Sequence, residues 1–129
     1  MLFRSCVMIK RTDSTGDWYV SHRYDMGGSM FKLNSSDATF SAGIGATSTT
    51  FSVYGNTGIA LNNVSGATYV AYLFAHNAGG FGLTGTDNVI SCGSYTGNGS
   101  TNGPSINLGY EPQWVLIKRT NAEIGRAHV

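Results

Sequence analysis

The sequence predicts an all-β chain, an antiparallel sandwich of the jelly-roll or concanavalin-like kind with essentially no helix. Three observations carry that expectation. Charged residues make up 12% of the chain, about half the roughly 25% of an ordinary domain. Gly (18 residues), Ser, Thr and Asn fill much of the rest, and these are turn formers. Short apolar or alternating runs recur between those turns, and no segment keeps a helical period beyond one turn. With aromatics at 12% and a net charge of +1, the chain has the apolar bulk for a core and lacks the signature of disorder.

The elements follow in order. Residues 6–12 are apolar on both faces and read as a buried strand. Asp13-Ser14-Thr15-Gly16 is a turn, and residues 17–22 are a second strand, which together make a hairpin. The aspartates there lack the alternating ligands and closing Glu of a calcium loop, so a plain turn is expected. Met30 to Leu33 is a short strand, Ala38 to Ser41 an edge strand, and Thr49 to Tyr54 alternates with Phe51 and Val53 on one face. Residues 67–75 are the strongest strand, apolar on both faces, and are placed centrally in the sheet. Val89 to Thr96 and Gln113 to Thr120 complete the set. The two cysteines, Cys6 and Cys92, fall in predicted strands. Buried free thiols are the ordinary state of such residues, and a disulfide needs geometry to support it.

The last strand repeats the first. Val115-Leu116-Ile117-Lys118-Arg119-Thr120 matches Val7-Met8-Ile9-Lys10-Arg11-Thr12 at five of six positions, with an offset of 108. That spacing is too long for solenoid repeats and points to tandem modules. After residue 122 the match to Thr15-Gly16-Asp17-Trp18 breaks off. Residues 123–129, Glu-Ile-Gly-Arg-Ala-His-Val, resemble a translated sequencing adapter and are expected to be a non-native tail. Arg126 and His128 then carry no functional weight.

Two blocks are informative together. They are Val-Ile-Ser-Cys-Gly-Ser-Tyr-Thr-Gly-Asn-Gly (89–99) and Leu-Gly-Tyr-Glu-Pro-Gln-Trp-Val-Leu-Ile-Lys-Arg-Thr (108–120). With Lys10 to Trp18 and Ser65 to Ala75, they resemble a β-domain that recurs in tandem in tail-fibre-like virion proteins of tailed phages. Domains of that kind are concanavalin-like and of unknown function. The resemblance covers most of residues 7–122; a departure is Arg4-Ser5-Cys6, where the family pattern has the Pro-x-Trp present at 112–114. It implies a structural or adhesion module on a virion, with neighbouring repeats of the same chain as partners and host surface glycan as a further candidate. It also implies a register: residues 1–88 are the later part of one module and 89–122 the first strands of the next. In isolation that second part is expected to fold back and help complete the same sandwich, and residues 113–120 then compete for the place of residues 6–12.

Catalytic and metal motifs are missing from the sequence. There is no Gly-x-Ser-x-Gly elbow and no P-loop. His22 and His76 are too few for a three-histidine metal site. Nothing marks a pair of opposed carboxyls of the glycosidase kind, since Glu111 is the one Glu before the tail and Asp17, Asp25 and Asp87 show no pairing signal. The expectation is therefore a non-enzyme with no cofactor and no metal. No basic cluster for nucleic acid and no apolar run for a membrane span is present. A carbohydrate-binding, lectin-like module is the alternative, and a fragment of a polysaccharide depolymerase a weaker one. The candidate glycan site is Trp18, Tyr19, His22, Tyr24 and Asp25, because sugar recognition uses aromatic faces beside hydrogen-bonding groups. The competing assignment puts Trp18 in the core and the others on an ordinary surface.

Overall fold

A computed structural model describes residues 6–23, 28–47, 49–54 and 63–121. The non-native tail expected at 123–129 lies outside them, as do Tyr24 and Asp25 of the candidate glycan site. Seven strands are present: β1 (Cys6–Arg11), β2 (Trp18–His22), β3 (Ser29–Lys32), β4 (Phe40–Ser41), β5 (Gly43–Ala46), β6 (Phe51–Tyr54) and β7 (Tyr69–Phe74). The described residues contain no helix. One antiparallel sheet has the order β4-β3-β2-β1-β7, and β5 and β6 form a separate hairpin. The all-β sandwich expected from the sequence is the architecture found.

β1 is the centre of this arrangement. It pairs with β2 from Cys6↔His22 to Lys10↔Trp18 and with β7 from Cys6↔Phe74 to Arg11↔Tyr69. Its side chains alternate between two apolar faces. Val7 and Ile9 point inward and join Met30 and Ile44 in the main core, where Tyr19, Phe40, Phe51, Val53, Tyr69 and Ala71 pack around them. The β5–β6 hairpin covers this face with Ile44, Phe51 and Val53. Cys6 points to the opposite face and joins Val20 and Phe31, with Met8, Leu33, Phe74 and Cys92 packed against them. The continuous apolar run of β1 thus reflects cover on both faces. Ser21 is fully buried within the inner face, and its Oγ has no hydrogen-bond partner among the described residues.

The turn chemistry read from the sequence is visible in the β1–β2 connection. Asp13 accepts two bonds from the Arg11 guanidinium, at 2.7 and 3.0 Å. Lys10 Nζ donates to the Gly16 carbonyl at 3.1 Å. Asn34, just past β3, links the hairpin to its neighbour: its Oδ1 accepts from the Trp18 N–H and its Nδ2 donates to Asp17, both at 2.9 Å. Asp13 is held within the turn by Arg11, and Asp17 also pairs with Lys32 at 3.3 Å.

Three expectations need correction. Residues 67–75 were placed centrally, yet β7 is an edge strand, and Tyr72 and Leu73 are about half exposed. Apolar side chains on both faces of a segment do not by themselves place a strand on each side of it. Residues 89–96 and 113–120 were expected to be strands, and neither is. For 115–120 the reason is competition. Its preferred setting is that of β1, and β1 holds that place because β2 follows it through the short connection of residues 12–17. The copy runs instead beside the segment before β4, through Thr39 N–H to the Thr120 carbonyl (3.3 Å) and Lys118 Nζ to the Asp37 carbonyl (3.3 Å). Residues 90–92 come back to the foot of β7 without adding a strand: the Asn77 N–H donates to the Ile90 carbonyl at 2.9 Å. The return is made by a tight loop in which Gly82 adopts φ +75° and a Cβ would run into the Asp87 carboxylate.

The repeat supplies an internal control for burial. Ile9 is 2% exposed, whereas its equivalent Ile117 is 42% exposed. Ile9→Ala is expected to lower the unfolding free energy by about 2–5 kcal/mol, and Ile117→Ala by less than about 1 kcal/mol, both read from urea midpoints at constant m-value. Ser21→Ala removes an unpartnered hydroxyl from the core and is expected to leave stability unchanged or raise it by about 1 kcal/mol in the same measurement.

Candidate functional site

The outer face of the sheet is where a ligand surface can be built. Trp18 at the start of β2 and Tyr72 in β7 reach across β1 and meet there, with ring centroids 6.0 Å apart and planes inclined by 34°. The register explains the meeting. Lys10 is opposite Trp18 and Met8 is opposite Tyr72, so all four side chains share one face. Trp18 is half-buried and Tyr72 is about half exposed. The result is an aromatic pair with the Lys10 stem and Met8 on the same surface. An aromatic face beside hydrogen-bonding groups suits the apolar face of a pyranose ring.

The sequence-based site is divided by this geometry. Trp18 is on the outer face, as one of the Trp18–Tyr19 pair had to be. Tyr19 is on the inner face, where its ring meets Phe40 edge-on at 6.1 Å and 75°. His22 shares the outer face with Trp18 but is four residues along β2, roughly 13 Å away at strand rise, beside Cys6. Tyr24 and Asp25 are outside the described residues. Tyr72 is the partner that the sequence did not reveal. Its approach to Trp18 depends on the β1–β7 register, for which no local signal exists.

A second cluster occupies the far end of the same face. His22 lies opposite Cys6, and His76 follows β7. Nδ1 of His76 accepts a hydrogen bond from the Cys92 N–H at 2.9 Å, which places the ring proton of the neutral form on Nε2. Burial holds the pKa of His22 below its usual value, and the nearby Arg23 and His76 lower it further. His76 is lowered by burial and by Arg23. No group of three or more His, Cys, Asp or Glu side chains able to hold a metal ion occurs among the described residues. Elsewhere the Arg11 hydrogen bonds hold the exposed Asp13 carboxyl at about 2.

A family profile described as a domain of unknown function, DUF7483, matches residues 3–125. The chain belongs to the DUF7483 family. The match runs without interruption through β1 to β7, the coil after them and the second copy of the β1 motif. No curated protein and no solved structure matches the chain. In this DUF7483 domain the Trp18–Tyr72 pair and the His22–His76 cluster are therefore defined by their geometry alone.

The histidine cluster gives a pH signature. A histidine whose folded pKa is lowered binds fewer protons folded than unfolded, so stability rises with pH between the folded pKa and the unfolded value of about 6.5. The contribution is complete above that window and is lost as pH falls through it. The thermal midpoint is expected to decline as pH falls below the unfolded value of about 6.5. The His22→Gln, His76→Gln double variant should flatten that first decline in a calorimetric pH series.

Proposed function

We propose that this DUF7483 domain is a non-catalytic structural and adhesion repeat, one unit of a tandem β-array on a virion surface or tail fibre. The observation that carries this is the doubled β1 motif in two settings. Val7 and Ile9 are 0% and 2% exposed, and their equivalents Val115 and Ile117 are 48% and 42% exposed. A segment with the residues of a central strand that belongs to no strand among the described residues fits one of the opening strands of a following unit. The neighbouring repeats are then the principal partners. The virion setting rests on the resemblance of residues 89–99 and 108–120 to repeats of phage tail proteins.

A two-repeat chain tests the array. Residues 13–88 are joined after Thr120, so that the second motif is followed by its own hairpin. Amides at 115–119 should then exchange at least about 100-fold more slowly than in the single unit, and Ile117→Ala should become as damaging as Ile9→Ala. Unchanged exchange and a still-neutral Ile117→Ala would refute the array. Antibodies against the domain should decorate intact virions of a phage that encodes it, and labelling only of non-virion fractions removes the virion setting.

The Trp18–Tyr72 pair favours a second reading, a glycan-binding module. Calorimetric titration with bacterial surface polysaccharide should give binding that Trp18→Ala and Tyr72→Ala each weaken by about 10-fold or more. Equal binding by the variants, or none by the parent protein, removes this site.

A further inference from the structure

The two thiols of this chain belong to one apolar cluster on the outer face of the sheet. Cys6 opens β1 and is 7% exposed. Cys92 comes from the coil after β7 and packs on the cluster formed by Cys6, Val20 and Phe31. Both thiols are free. Each is held by backbone contacts that do not involve sulfur. Cys6 is fixed by two ladders, opposite His22 and Phe74. Cys92 is fixed by its N–H bond to His76, two residues past Phe74, at 2.9 Å. The Asn77 bond to Ile90, also 2.9 Å, fixes the chain two residues before it. The coil therefore returns within two or three residues of Phe74, which faces Cys6 across the ladder, and Phe74 and Cys92 pack on the same cluster.

We infer that Cys6 and Cys92 are a disulfide-forming pair, a modification site that ties the coil after β7 to the central strand. The chemistry needs a disulfide oxidant, such as a glutathione-type small disulfide. The more exposed Cys92, as thiolate, attacks one sulfur of the oxidant and expels one small thiolate, leaving a mixed disulfide. Cys6, as thiolate, then attacks Cys92 Sγ and expels the second. The two protons lost by the protein end on the two released thiols, and the two electrons reduce the oxidant's disulfide bond. Burial pushes the Cys6 thiol up to about 12, Cys92 adds to that shift, and burial raises Cys92 as well. Both are thus mainly protonated near neutral pH, so exchange is slow there and faster in alkaline buffer.

Beyond Cys92, long-range hydrogen bonds of the coil include Thr39 N–H to the Thr120 carbonyl and Lys118 Nζ to the Asp37 carbonyl, both near its far end. A covalent link at Cys92 closes a long loop onto β1 and removes much of the freedom of the unfolded chain. This inference does not depend on the array or on glycan binding.

The test is equilibration of the reduced protein with oxidised glutathione in alkaline buffer, followed by quenching and mapping. The expected product is a monomer without titratable thiols and with a mass two hydrogens below the reduced chain. Its tryptic map should join the peptide of Cys6 to the peptide of Cys92. Cys92→Ala and Cys6→Ala should each take up one glutathione or keep one thiol, with no internal link. Cys92→Ala keeps the assignment testable should Cys6→Ala fail to fold, because Cys92 is the less buried of the two. Thiols that both stay reduced, glutathione adducts on the parent chain, or dimers joined through either cysteine would overturn the pairing.

Discussion

β1 is hydrogen-bonded along both edges and covered on both faces, and the rest of the molecule is arranged around that condition. Its two ladders give every residue from Cys6 to Lys10 a partner on each side, which satisfies backbone groups that burial would otherwise leave costly. Its alternation sends Val7 and Ile9 to one core and Cys6 to the other. Any residue placed there must be apolar and must tolerate neighbours in all directions. A strand of this kind cannot be exchanged for another segment unless its hairpin partner goes with it.

The two faces of the sheet are covered by different means. The inner face is closed by the β5–β6 hairpin, whose Ile44 is fully buried. Among the described residues the outer face has no strand pair over it. Coil around Cys92 covers the end near Cys6, and the end near Lys10 retains the half-exposed Trp18–Tyr72 pair. Regular cover yields a continuous core, while irregular cover leaves polar and aromatic groups at its margin. The histidine cluster and the thiol pair belong to one end of that margin, and the aromatic pair to the other. This division is why the aromatic pair, the histidines and the thiols lie on one face.

Much of the fold was legible because its signals are local. The hairpin of β1 and β2, the short strands β3 and β4 and the alternation of β6 follow from apolar period and turn residues. The rank of β7 in the sheet was not legible, because strand order depends on pairing between segments far apart in sequence. For the candidate glycan residues only part of the placement was legible. Trp18 lies on the outer face and Tyr19 on the inner one, and alternation shows that two neighbours face opposite ways without showing which is outside. Tyr72 belongs to the same surface only through the register of two ladders.

The repeated hexapeptide separates what sequence determined from what tertiary structure decided. In both copies the lysine Nζ donates to the carbonyl of the next residue at 3.2 Å, Lys10 to Arg11 and Lys118 to Arg119. In both copies the arginine Nε donates to the side-chain oxygen two residues on, Arg11 to Asp13 at 2.7 Å and Arg119 to Asn121 at 3.2 Å. These bonds span one or two residues, so the amino-acid order alone brings the groups within reach. Burial has no such local cause. Val7 and Ile9 are enclosed, while Val115 and Ile117 are open to solvent, because a strand becomes a core strand only when other segments pair with both its edges and cover both its faces. Among the described residues β1 has those partners, in β2 and β7, and the second copy does not.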